Sequence, residues 1–66
     1  MNNEFKRIME EKKLRYQDIS NKTKIGRTTL YQIANKKSVP NIEFALKLAR
    51  CLNVPVTELF YLDDEE

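Results

Sequence analysis

Residues 16–36 read YQDISNKTKIGRTTLYQIANK, and this stretch decides the fold. Ile19 and Ser20 share the inward face of a short helix predicted over Tyr16–Thr23, while Leu30, Ile33 and Ala34 share a face of another that starts after Gly26. Apolar residues about one turn apart indicate helix rather than strand, whose period is two. Only Lys24, Ile25 and Gly26 separate the two segments. So short a connection forces the helices to cross sharply, as in a helix-turn-helix. The small side chain of Ser20 lets the second helix of the pair come close. With Leu30 and Ile33 turned to the core, Arg27, Thr28, Tyr31, Gln32 and Asn35 point outward. All five can hydrogen-bond, which a plain packing helix does not need and a surface reading base edges or phosphates does.

The helical period continues on both sides. Phe5, Ile8 and Met9 form a stripe ahead of the charged run Glu10 to Lys13, and Leu14 follows it. Pro40 blocks extension of the outward-facing helix, and Asn41 ahead of Ile42 and Glu43 makes a good N-cap for a fourth. That helix is read with an apolar stripe of Ile42, Ala45, Leu46, Ala49 and Leu52, with Leu48 beside it. Pro55 opens a last short helix carrying Val56, Leu59 and Phe60. The expectation is an all-α, compact five-helix domain over residues 1–62, followed by a frayed acidic tail at 63–66.

Sixty-six residues make one domain near the lower limit for a self-sufficient core. There is no histidine and one cysteine, Cys51, which argues against a metal site and forbids an internal disulfide. A reducing, cytoplasmic setting is the expectation, with Cys51 as a small packing residue. No apolar run approaches the ~18 residues of a membrane span, and there is no signal-peptide pattern. The net charge of +2 hides an asymmetry. Asp63, Asp64, Glu65 and Glu66 close the chain; without them twelve basic residues stand against six acidic ones. Between Lys12 and Lys37 there are eight basic residues and one acid, Asp18. One basic cluster can be a solvated face, but positive charge recurring across successive helices favours a polyanion partner. An enzyme is not expected: paired inward carboxylates, a glycine-rich phosphate loop and an activated nucleophile are all missing from the pattern. No cofactor or small-molecule ligand is expected either.

From Leu14 to Phe60 the chain resembles the phage Cro and repressor-type (XRE) helix-turn-helix regulators. The most specific part runs from Pro40 through Leu48-Ala49 and Leu52 to Glu58-Leu59-Phe60, almost position for position. Ile19, Ser20, Ile25, Leu30, Ile33 and Pro40 fit the same pattern without a gap. The departures are specific. Lys24 stands where the family has glycine in the turn, and Lys36 where it has glycine after the recognition helix. Tyr16 replaces the family's phosphate-binding glutamine at the start of helix 2, leaving the contact to its hydroxyl or to Gln17. Met9 and Ala34 occupy the positions of an arginine–glutamate pair. Losing both charges together avoids an unpaired buried ion.

The resemblance implies a recognition helix over about residues 27–36, lying in the major groove of duplex DNA. Arg27, Thr28 and Gln32 would then read bases: Arg27 a guanine at O6 and N7, Gln32 an adenine at N6 and N7, Thr28 a base edge or a thymine methyl. Without it they would read as a solvated helix face. Tyr31 stays open between base contact, phosphate bond and a ring lying on the surface. Gly26 lets the backbone approach DNA, where the helix dipole favours an anion. Thr29, Asn35, Lys36, Lys37 and Ser38 suit phosphates, and Lys36 and Lys37 fit plain solvation equally. The implied function is a transcriptional regulator, a repressor, acting as a homodimer on a palindromic operator. Val56, Leu59, Phe60, Tyr61 and Leu62 are the expected dimer surface. A rival reading makes that apolar surface the grip of an antitoxin-like protein-interaction module. RNA binding fits the charge but lacks the sheet-borne aromatics or GXXG loop of such modules.

Overall fold

Left-handed backbone closes the first four helices. In the computed structural model, which describes residues 2–62, the helices are α1 (Phe5–Glu11), α2 (Tyr16–Thr23), α3 (Arg27–Ala34), α4 (Ile42–Leu52) and α5 (Val56–Leu59). Lys13, Lys24, Lys36 and Asn53 follow the first four with φ of 57°, 64°, 62° and 60°. Glycine takes this conformation at least cost, whereas another residue there sacrifices roughly 1–2 kcal/mol. Lys24 and Lys36, at the positions where the family has glycine, thus hold the left-handed backbone that glycine favours. The left-handed residue at Lys36 also ends α3 at Ala34, short of the expected boundary. Asn41 caps α4 as its sequence position suggests, its Oδ1 accepting from the Phe44 N–H at 2.8 Å. The acidic segment 63–66 lies outside the described residues.

A two-stranded ribbon, unforeseen from sequence, joins the ends of the domain. β1 (Asn2–Asn3) pairs antiparallel with β2 (Phe60–Tyr61), setting Asn2 opposite Tyr61 and Asn3 opposite Phe60. Strands of two residues are too short to show an alternating pattern. The Glu4 N–H extends the join to the Leu59 carbonyl at 3.0 Å.

One core holds the helices together. Phe5, Ile19, Ile25, Leu30, Ile33, Leu48, Leu52 and Leu59 are essentially fully buried, and Met9 and Ala34 lie in the same cluster. Two expectations need correction. The inward stripe of α4 is Ala45, Leu48, Ala49 and Leu52, whereas Ile42 and Leu46 are 72% and 51% exposed. Apolar residues cover more of this helix than its neighbours α2 and α5 bury. The second concerns the expected dimer surface. Leu59 and Phe60 are buried in the chain's own core, because α5 and the ribbon fold them back onto it. Val56 packs partly buried against the same cluster, which leaves Tyr61 and Leu62 on the surface.

Candidate nucleic-acid interface

The turn that aims α3 is wired from both sides. The Lys24 N–H donates to the Ser20 carbonyl at 2.8 Å, and the Ser20 hydroxyl donates to the Ile25 carbonyl at 2.7 Å. Thr23 Oγ1 donates to the Ile19 carbonyl at 2.8 Å and accepts from the Ile25 N–H at 3.3 Å. The Ile25 side chain, 2% exposed, plugs the turn into the core. Ser20 thus bonds as well as making room. A short loop held by these bonds, with its one apolar side chain buried, has few alternative conformations.

Gly26 follows as the N-cap of α3, at φ −61° and ψ 149°. Any residue can adopt that backbone, and a Cβ placed there would meet nothing within 4 Å. Its glycine is therefore not required by the fold. No side chain caps this end, so the first N–H groups of α3 point outward with the positive end of the helix dipole. Arg27, Thr28 and Gln32 are exposed, and among the described residues their side chains have no hydrogen-bond or ion-pair partner. Gln17 and Lys37 are exposed in the same way, while Thr29 and Ser38 are half-buried.

Other expected contact residues are already committed within the chain. The rings of Tyr31 and Tyr16 meet edge-on with centroids 4.3 Å apart, and Tyr16 meets Phe5 edge-on at 6.4 Å. This aromatic ladder runs from the core to the outer face of α3. It fixes the direction of Tyr31, which remains 46% exposed. Burial first, and Tyr31 next, push the Tyr16 phenol above its ordinary value, so its hydroxyl stays protonated and can donate to a phosphate. Asn35 closes α3: its Nδ2 donates to the Tyr31 carbonyl at 2.9 Å, and its Oδ1 accepts from Lys6 Nζ at 3.4 Å. Lys36 and Lys37 are exposed, their N–H groups donating to the carbonyls of Ile33 and Gln32 at 3.0 and 2.8 Å. The nearby acid, Asp18, accepts from the Arg15 N–H at 3.2 Å and opens α2. No residue of α3 is acidic.

This is a rigidly mounted helix with an uncapped N-terminus and with Arg27, Thr28 and Gln32 unengaged on its outer face. The helix-turn-helix family model matches residues 5–59. The chain belongs to the XRE-type helix-turn-helix family. The family is one of DNA-binding transcriptional regulators and not an enzyme family, and at that level of description this chain is a DNA-binding transcriptional regulator. No curated relative matches it. No helix among the described residues is long and apolar enough to cross a membrane, and no group of their side chains could hold a metal ion.

Sequence reasoning missed one residue that serves this regulator's interface from behind. Asn3, 8% exposed, donates from Nδ2 to the Ile33 carbonyl at 3.0 Å and accepts at Oδ1 from the Phe5 N–H at 3.0 Å. One side chain thus starts α1 and pins the end of α3. An asparagine just ahead of an apolar helical run is a cap signal that could have revealed the first role. Its second bond spans thirty residues, and no local pattern announces it. Nearby, the Tyr61 hydroxyl donates to Glu4 at 2.5 Å. That bond, with the Arg7 guanidinium beside it, holds the Glu4 carboxyl below its ordinary value. The bond is therefore present at neutral pH and is lost as pH falls through that lowered value.

Proposed function

We propose that the chain represses transcription as a homodimer on a palindromic operator, with α3 of each copy in the major groove. Arg27, Thr28 and Gln32 read base edges, and Tyr31 presents its exposed edge beside them. Tyr16, Gln17, Gly26, Thr29, Asn35, Lys36, Lys37 and Ser38 face phosphates and set the register. The observation that carries this reading is the contrast on α3: its inner side chains are buried, while Arg27, Thr28 and Gln32 on its outer face lack any partner. Unengaged Arg and Gln side chains can form bidentate pairs with guanine and adenine. One recognition helix spans few base pairs, so useful selectivity calls for a second copy in the next major groove, about 34–36 Å away. Repression would come from occluding a promoter. The rival protein-interaction module loses support, because two of the apolar residues it would offer, Leu59 and Phe60, are core.

Selection of bound sequences from a random duplex pool tests this. The expected result is enrichment of two inverted half-sites centred roughly 10–10.5 base pairs apart, or a multiple of that. An enriched pool without two-fold symmetry would refute the palindrome, and no enrichment would refute sequence reading.

A further inference from the structure

We infer that the outer face of α4 is a contact between two copies of this chain, packed antiparallel about an axis passing between Leu46 and Lys47. This deepens the two-fold reading proposed above and rests on it. Val39, Ile42 and Leu46 are 63%, 72% and 51% exposed, and Ile42 and Leu46 stand one turn apart on the same side of α4. Next to them, Glu43, Leu46, Lys47 and Arg50 line a shallow groove that is mainly apolar.

The charges select a second copy as occupant. Glu43 and Arg50 are seven residues apart, two helical turns, so they lie nearly in line along the axis. Each stands equally far from the midpoint between Leu46 and Lys47. A copy turned over about that midpoint therefore sets its Arg50 against Glu43, and its Glu43 against Arg50. The contact is isologous: one patch complements itself and gives two opposite-charge pairs around an apolar centre. Glu43 already holds Lys47 of its own helix at 3.1 Å, whereas Arg50 has no ion-pair partner among the described residues. DNA is a poorer occupant, since exposed Leu and Ile side chains offer nothing to phosphates. Lys22 and Lys24 border Lys47 and Arg50 and oppose close approach of two copies. The patch is also small beside the ~800 Å² per partner of a standard interface. The association is accordingly weak, and strongest when one duplex holds both copies.

Charge exchange tests the contact. Glu43→Arg and Arg50→Glu chains are each measured alone and then mixed, by sedimentation at high micromolar concentration and on a palindromic duplex. Each variant alone sets like charges together twice and should associate at least about tenfold more weakly than the unaltered chain. The equimolar mixture restores both opposite-charge pairs and should recover the association. Unchanged melting curves would exclude misfolding, and Leu46→Asp should abolish the contact without a charge partner to rescue it. Equal association of all variants would overturn the inference, as would a chain that stays monomeric both alone and on the palindrome. Salt-sensitive duplex binding in that last case would leave the DNA reading standing. Recovery in the mixture without any duplex binding would support the contact and remove the DNA reading.

Discussion

The two ends of α3 are built on opposite terms. At its C-terminus, Asn3 bonds the Ile33 carbonyl, Asn35 bonds the Tyr31 carbonyl, and the Lys36 and Lys37 N–H groups close the last turn. At its N-terminus, the N-cap Gly26 supplies no side-chain bond, a Cβ there would touch nothing, and Arg27 and Thr28 lack partners. α4, whose task is packing, has the Asn41 cap that α3 lacks. A helix selected for its own stability would be capped at both ends. The one left open is the end an anionic partner can use.

The largest effect should come from breaking the anchored end. Ile33→Ala removes a fully buried side chain and should cost about 2–5 kcal/mol in urea unfolding. A loss below about 1 kcal/mol would mean α3 is not held by its inner face. Second is Arg27→Ala at the open end. It should weaken binding to the preferred duplex by about 1–3 kcal/mol per half-site and relax preference at one base, with unfolding unchanged. Lys37→Ala should instead weaken all sequences alike. Equal losses for both variants on specific and random duplexes would erase the distinction between reading and positioning residues.

Removing the pin at Asn3 comes third. Asn3→Ala leaves the Phe5 N–H without its acceptor and should cost about 1–2 kcal/mol. Asn3→Asp keeps that acceptor but sets a charged carboxylate oxygen against the Ile33 carbonyl in a buried site, so at neutral pH it should cost at least as much. A loss below about 0.5 kcal/mol for Asn3→Ala would mean that the pin contributes little to the fold. The smallest effect should be Gly26→Ala, within about 0.5 kcal/mol of the unaltered chain in unfolding, because the loss of a tolerated N-cap glycine is offset by a less mobile unfolded chain. Duplex affinity should fall if the backbone there approaches DNA closely. Unimpaired affinity would place Gly26 away from the interface.

Much of this architecture was legible in the sequence, and the exceptions have physical reasons. Tyr16–Thr23 and the Asn41 cap could be read because helix period and capping are local. The inner face of α3 was equally plain from Leu30, Ile33 and Ala34. The inward side of α4 was not, since apolar residues surround much of the helix and only its neighbours decide which are covered. The β1–β2 ribbon and the reach of Asn3 to Ile33 join residues far apart in the chain, which periodicity does not encode. Likewise, Tyr31 read as an outward residue, but its pairing with Tyr16 depends on how α2 crosses α3. The outward position of Arg27, Thr28 and Gln32 was readable; what they touch depends on a partner.

The central claim is that the open end of α3 and the cations around it meet the phosphates of a duplex. Its most direct test is the dependence of duplex affinity on salt concentration. If a dimer neutralises roughly 6–8 phosphates, the logarithm of the binding constant should fall against the logarithm of salt with a slope of about −5 to −7. A slope near zero, or binding undiminished by salt, would contradict the account.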